Sequence, residues 1–423
     1  MQPGRIISRV YEPFSGGKLY DQALLVIWLL VIALPLGIMT PFRYLFILYF
    51  LSFFLFDTRN VMTGVVKAWW LWPFQIIALL SMFWSPYASE ALRGSLLMIL
   101  STVVVVVVAS RFTPTQIVRC MLIACTVILL FILTRNATIE QGAGFGSKNY
   151  AAQFMLNGFI VAAAAALNPK EFTHFRWFGL AMMAPFVYLV VAAQSTTALL
   201  MLIASAGLVF GMRVFFLDSR KIQHLSSLLV VLGLMTAMII IYAVLIFVDQ
   251  HLIDSFLGAF GKDATFTGRT AMWEEAGNQI GMRPYLGVGL EGFWQDDVGS
   301  AQTLNINDHK PLGTKLTFHN VHLEVMVHLG IIGYAAFVLS MAAVIWMALK
   351  RLFTRADMPV IAFCAIIAVS LMSSMVESSL WSGFNFQAFL FFACGAVYAR
   401  GDRRRHVGNM VVREQDFAAA VRA

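Results

Sequence analysis

The chain has 423 residues, of which 60% are hydrophobic and only 12% charged, and its mean hydropathy is +0.78. A soluble domain carries about twice that share of charge, which excludes a globular enzyme or binding module; long apolar runs in place of period-2 alternation exclude an outward-facing barrel. The net charge of +8 does not point to nucleic acid, because the basic residues lie in short loops between apolar runs and in a tail where Arg403, Arg404 and Arg405 are adjacent, the pattern of anchoring against anionic lipid.

A helical span takes about 20 mostly apolar residues. Candidate spans run over 21–39, 41–56, 67–84, 92–109, 116–133, 149–167, 175–193, 196–216, 222–248, 320–348, 359–376 and 380–398. The first follows Arg5, Arg9 and Lys18, is too long for a signal-peptide core and lacks a small-residue cleavage site, so it reads as an uncleaved span. The second is short and is expected to tilt or lie shallow. Only Gln194-Ser195 separates the seventh from the eighth, which predicts a tight hairpin or a broken helix. Cys120, Cys125, Cys364 and Cys394 all fall in apolar runs without a CxxC or a histidine at ligand spacing. They read as small buried hydrophobes, with neither disulfide framework nor metal site.

The expected fold class is therefore all-α: a polytopic transmembrane helical bundle of about 12 spans. Lys/Arg asymmetry orients it. With both termini cytoplasmic, the short outer loops hold only Arg43, Arg93, Arg135 and Lys148, while the inner segments and the tail hold most of the rest. The chain then divides into spans one to nine (1–248), one large extracytoplasmic loop (249–319), spans ten to twelve (320–398) and a basic cytoplasmic tail (399–423). Within the loop, TGRTAMWEEAGNQI reads as a short amphipathic helix, with Thr267 as its N-cap and Met272, Ala276 and Ile280 at helical spacing. PYLGVGLEGFW follows, with Gly287, Gly289 and Gly292 suited to a turn that approaches a ligand or another backbone closely.

In this topology several polar residues collect on the outer face. Lys148 and Asn149 open the sixth span, Ser195 to Thr197 the eighth, and His319, Asn320, His322 and Glu324 the tenth, with Arg269 and Arg283 in the loop. Each has a plain alternative. Arg269 is either a solvated loop charge or a planar fork for two phosphate oxygens. Lys148 is either an interface snorkel or a point charge on a diphosphate. Asn149, Ser195 and Thr197 suit helix caps as well as substrate contacts. His319 is either a residue at a helix start or a proton acceptor near neutral pH. Glu324 lies one turn beyond Asn320, so those two can share a face. His322 and His328 read as bundle or interface contacts, and Glu377, at the end of span eleven, as an outer-face residue or a midplane charge.

Gly268-Arg269 with Trp273, then Pro284 with Gly287 and Gly289, then His319-Asn320 with Leu323 and Glu324, then Gly330 to Gly333, in that order and after many spans, resemble the O-antigen ligase/Wzy-type polymerase superfamily. The SKN before span six and the QSTTAL hairpin look most like its exopolysaccharide-polymerase (ExoQ-like) branch. The resemblance implies a metal-independent, cofactor-free, inverting glycosyltransferase of the GT-C kind in the bacterial inner membrane. Its donor would be an oligosaccharide on undecaprenyl diphosphate. Its acceptor would be a sugar hydroxyl on another lipid-linked unit for a polymerase, or on lipid A-core for a ligase. By position, His319 matches the superfamily's loop histidine proposed as general base, and Arg269 the arginine that binds the diphosphate. Lys148, Asn149, Ser195, Thr197, Arg283, Asn320 and Glu324 would line the substrate. Many members carry a basic residue between the serine and threonine of the outer hairpin, where this chain has Thr196; either Lys148 supplies the second cation or the loop alone holds the diphosphate. A flippase and a chain-length regulator are the partners such an enzyme would have.

A reading from another class is a lipid-linked sugar transporter. Against it, the two halves show no repeat, the late loop breaks any two-fold pattern, and most polar residues sit at the outer edge rather than the midplane.

Overall fold

The computed structural model describes residues 19–134, 138–218 and 269–399. Among them every regular element is helical: α1 (Leu19–Ala33), α2 (Met39–Phe56), α3 (Thr58–Lys67), α4 (Trp72–Leu80), α5 (Ala88–Arg111), α6 (Pro114–Leu133), α7 (Lys148–Leu167), α8 (Thr173–Ala192), α9 (Thr196–Arg213), α10 (Arg269–Met282), α11 (Gly299–Asn307), α12 (Val321–Arg355), α13 (Met358–Ser374) and α14 (Phe386–Ala399). Seven are long and apolar enough to cross a membrane, or up to eight if one bent pair forms a span. The chain is thus a multi-pass helical membrane protein.

The departures from the expected spans have local causes. The first span ends at Ala33 because Pro35 cannot continue a helix. The third is the second limb of a bent pair: α3 meets the stretch Trp69–Phe83 at 62° across Ala68, and Pro73 stands in the first turn of α4. The twelfth begins at Phe386, where the Asn385 side chain accepts from the backbone of Gln387 at 2.8 Å. Before it, residues 375–385 run without regular helix yet are mostly buried; irregular backbone is tolerated where protein surrounds it. The ninth span (222–248), the proposed Thr267 cap, the first part of the loop and the tail beyond Ala399 lie outside the described residues.

α7 is the hub. In its most apolar window 83% of residues are buried, against 22% for α2 and α8, so it is surrounded by other helices. Small residues let α8 close on it: Gly179 faces the Ala162 carbonyl, and Gly158 lies under the Phe186 ring. α13 and α9 pack on its other sides, while α14 fits between α5 and α12.

The loop contains the amphipathic helix expected from the sequence: α10 buries Met272 and Ala276 against α12, with Ile280 packed beside them. The glycine segment that follows does approach another backbone. α12 breaks at Gly330 (φ 60, ψ −167), and the loop takes up the groups this frees. Val288 and Gly289 N–H donate to the carbonyls of Val327 and His328 at 2.9 and 2.8 Å, and Ile331 N–H donates to the Pro284 carbonyl at 2.8 Å. Gly287 (φ +64) and Gly330 both have left-handed backbone, and a Cβ at either would strike the opposing main chain. Loop and span are therefore stitched by an exchange of main-chain bonds.

Candidate active site

Apart from Arg283, the candidate site residues lie at or beside the N-termini of α7, α9, α10 and α12. The group that joins them is Glu377, just past α13 and 8% exposed. Its Oε1 accepts from Asn149 Nδ2 at 3.0 Å and from Arg269 Nη2 at 3.4 Å. Its Oε2 lies 3.4 Å from His319 Nδ1. Asn149 Oδ1 in turn accepts from Ser195 Oγ at 2.7 Å, and the same Ser195 oxygen caps α9 by accepting from Ala198 N–H at 3.3 Å. Lys148 Nζ donates to the Gln194 carbonyl at 3.3 Å, where a left-handed Gln194 (φ 48) turns the tight hairpin between α8 and α9. Four elements distant in sequence thus meet through one carboxylate.

Burial pushes the Glu377 carboxyl upward, but the bond to His319, the Asn149 donor and the Arg269 charge outweigh it and hold the group below the usual carboxylate range. Burial likewise lowers the Arg269 guanidinium, opposed by Glu377; an arginine stays charged regardless. His319 is the most open of the three, its side chain 30% exposed against 14% for Arg269 and 11% for Glu377. Since Nδ1 faces a carboxylate, it carries the proton of the neutral ring, and Nε2 is left with a lone pair.

His319 itself has left-handed backbone (φ 49), and the chain around it is held from behind. Phe318 N–H donates to Glu324 Oε2 at 2.8 Å, and the Phe318 carbonyl accepts from Trp273 Nε1 at 2.9 Å. Glu324 also accepts from Trp294 Nε1 at 3.0 Å and from Ser378 Oγ at 3.4 Å. One buried carboxylate therefore grips the residue before His319 and the residue after Glu377. His328 stands 3.6 Å behind it, stacked on Trp381.

Four of the residues expected to line the substrate stand outside the bonds to Glu377. Glu324 is fully buried. Asn320 is the N-cap of α12, its Oδ1 accepting from His322 and Leu323 N–H at 2.9 and 3.3 Å. Arg283 stands exposed beyond the end of α10, outside the cluster. Thr197 is half-buried on the first turn of α9 and has no bond into the cluster. His322 bonds Tyr334 and Ser374 at 3.1 and 3.3 Å, a bundle contact. Sequence reasoning missed the hub role of Glu377 and the ladder that continues from it: on one face of α7, Gln153 bonds Ser373 and Asn157 bonds Gln387 at 2.8 Å. Amides at four-residue intervals in an apolar span were the available signal.

Residues 178–338 match the family model described as O-Antigen ligase. Over that segment the chain is similar to the O-antigen ligase family. The matched segment holds Ser195, Arg269 and His319. Over 368 residues the chain is also 28% identical to "Exopolysaccharide production protein ExoQ" of Rhizobium meliloti (strain 1021), covering 83% of this chain and 81% of that protein. The resemblance read from the ordered motifs is borne out, and with it a polysaccharide polymerase- or ligase-type function in a membrane protein.

Proposed function

We propose that the chain is an exopolysaccharide repeat-unit polymerase: a metal-independent, inverting, GT-C-type glycosyltransferase of the bacterial inner membrane. Its termini would be cytoplasmic and residues 249–319 would form the outer loop. The donor would be an oligosaccharide on undecaprenyl diphosphate and the acceptor a sugar hydroxyl of another lipid-linked unit. A flippase would deliver both, and a chain-length regulator would limit the product.

The observation that carries this reading is the gathering of His319, Arg269 and Asn149 on Glu377. The acceptor oxygen attacks the anomeric carbon from the face opposite the diphosphate. The new C–O bond forms as the carbon–oxygen bond to the diphosphate breaks, and the hydroxyl proton passes to His319 Nε2. Glu377 holds the imidazole by Nδ1 and balances the positive charge it gains. The departing lipid diphosphate takes the bonding electrons. Arg269 is the fork placed for it, and Lys148, at the hairpin where Thr196 offers no charge, supplies the second cation. Fixed cations aimed at a leaving group stabilise charge as it develops, and the lipid tail explains a site at the membrane face.

The test is the length distribution of surface and secreted polysaccharide in a deletion strain complemented with wild type or His319→Ala. The variant is expected to be present in the membrane and to leave single repeat units, polymer falling by about 10²–10⁴-fold. Normal polymer from His319→Ala overturns the proposed base. Free polymer that is no longer joined to an acceptor in the deletion strain makes the protein a ligase. Repeat units trapped on the cytoplasmic side make it a transporter.

A further inference from the structure

Residues 281–286 are exposed without interruption, and the four residues after them are buried. The exposed run is largely apolar: Met282 is 68% and Tyr285 70% exposed, with Leu286 beside them. It has no part in the cluster on Glu377, and Arg283 within it stands apart from that cluster. Its place is fixed from two sides. Ile331 and Ile332 N–H of α12 donate to the carbonyls of Pro284 and Tyr285 at 2.8 and 3.3 Å. Trp84, just past the Trp69–Phe83 stretch, donates through Nε1 to the Leu286 carbonyl at 3.0 Å.

Both neighbours continue into exposed apolar faces. On α12, Ile331, Ile332, Val338, Leu339 and Trp346 are exposed and recur at seven-residue spacing, which is one helix face. On α4 and the turn after it, Ile76, Leu80 and Phe83 are exposed at positions i, i+4 and i+7. α4 packs on α12, so residues 281–286 bridge two faces of one surface. An apolar face left exposed along a spanning helix meets acyl chains. The sequence of α12 then gives the depth. Residues 331–349 carry no charge, while Glu324 and His328 precede them and Lys350 and Arg351 follow. At 1.5 Å per residue that run is about 28 Å long, which matches a hydrocarbon layer of roughly 30 Å. Gly330, where α12 breaks, therefore lies at the edge of that layer, and so does the segment bonded just below it. We propose that residues 281–286 are seated in the membrane interface and bind the lipid surface directly. Met282, Tyr285 and Leu286 enter the outermost part of the acyl chains, and Arg283 extends its charge to the headgroup phosphates. This seat is independent of the cluster on Glu377 and of the reaction proposed for it.

The experiment uses the full chain in vesicles of dioleoylphosphatidylcholine and dioleoylphosphatidylglycerol, with a polarity-sensitive fluorophore on Tyr285→Cys or, separately, on Met282→Cys. Both positions are exposed, and the four native cysteines are buried, so wild type serves as the unlabelled control. Val338→Cys, on the exposed face of α12, is the reference within the hydrocarbon. The labels at 282 and 285 are expected to lose most of their emission to phosphatidylcholine spin-labelled near the headgroup, and less to lipid spin-labelled near the chain end. The label at 338 should show the reverse order, and aqueous iodide should quench none of the three strongly. Strong quenching by iodide with none by either lipid at 282 and 285 overturns the proposal, because the segment then stands in water. Quenching there by neither lipid nor iodide overturns it in favour of a covering stretch of protein. Stronger quenching there from the chain end than from the headgroup overturns the interfacial depth.

Discussion

Arg111, buried, and Arg269, partly buried, are both paired with carboxylates, and they stand at opposite ends of the same bundle. Arg111 faces two acids and an aromatic ring, and one of those acids, Asp21, also accepts from Tyr49 at 2.9 Å. Arg269 has one long bond to a carboxylate that it shares with His319 and Asn149. The first arrangement surrounds one guanidinium with two carboxylates of the protein and ties α1, α3 and α5 together. The second shares a single carboxylate, and with Lys148 next to Asn149 the site holds two cations to that one acid, the condition for receiving an anion that comes and goes. A buried ion pair is structural when its charges are matched within the protein, and suited to ligand binding when the protein supplies too few.

The comparison can be broken by substitution. Arg111→Ala should be the most damaging to the folded protein, at about 3–5 kcal/mol, because it leaves Asp21 and Asp57 as uncompensated charges. The check is thermal unfolding in detergent, and the surviving protein should keep its activity per molecule. Arg269→Lys should reverse the pattern: a stable protein whose polymer output falls about 10²-fold, since a point charge cannot reproduce a fork on two phosphate oxygens. Near-normal polymer from that variant would remove Arg269 from the site. The smallest effect concerns pH. Glu377 is held below its ordinary value of 4.5 in the folded protein. Its contribution to stability is therefore complete above that value and is lost as pH falls through the depressed one. Unfolding temperatures measured from pH 7 down to pH 3 should decline less steeply for Glu377→Gln than for wild type. Parallel declines would mean that the carboxylate is not under strong positive influence.

How much of this was legible in the sequence depended on whether the signal was local. α10 was, because Met272, Ala276 and Ile280 recur at helical spacing. The hairpin at Gln194-Ser195 was, because two polar residues interrupt a long apolar run. The meeting of Asn149, Ser195, Arg269 and His319 on one face followed from counting spans and charges. The hub was not, because Glu377 follows the apolar residues of α13 with no pattern to say what it touches, and its partners lie 58, 108 and 228 positions away. Glu324 suggested a ligand contact because one-turn spacing relates it to Asn320; burial and four protein contacts only emerge in three dimensions. The bent third span and the break at Gly330 were also hidden, since apolar composition reports burial but not direction.

The stitching of residues 284–289 to the broken turn of α12 also sets an order of manufacture. The glycine segment leaves the ribosome before the helix whose carbonyls its amides require, so it must wait, unsatisfied, until that helix has been made and placed. The face that carries Arg269 and His319 is consequently among the last parts of the molecule to take shape. A nascent chain stopped short of α12 would hold most of its described spans but lack Glu377, the carboxylate on which the cluster gathers.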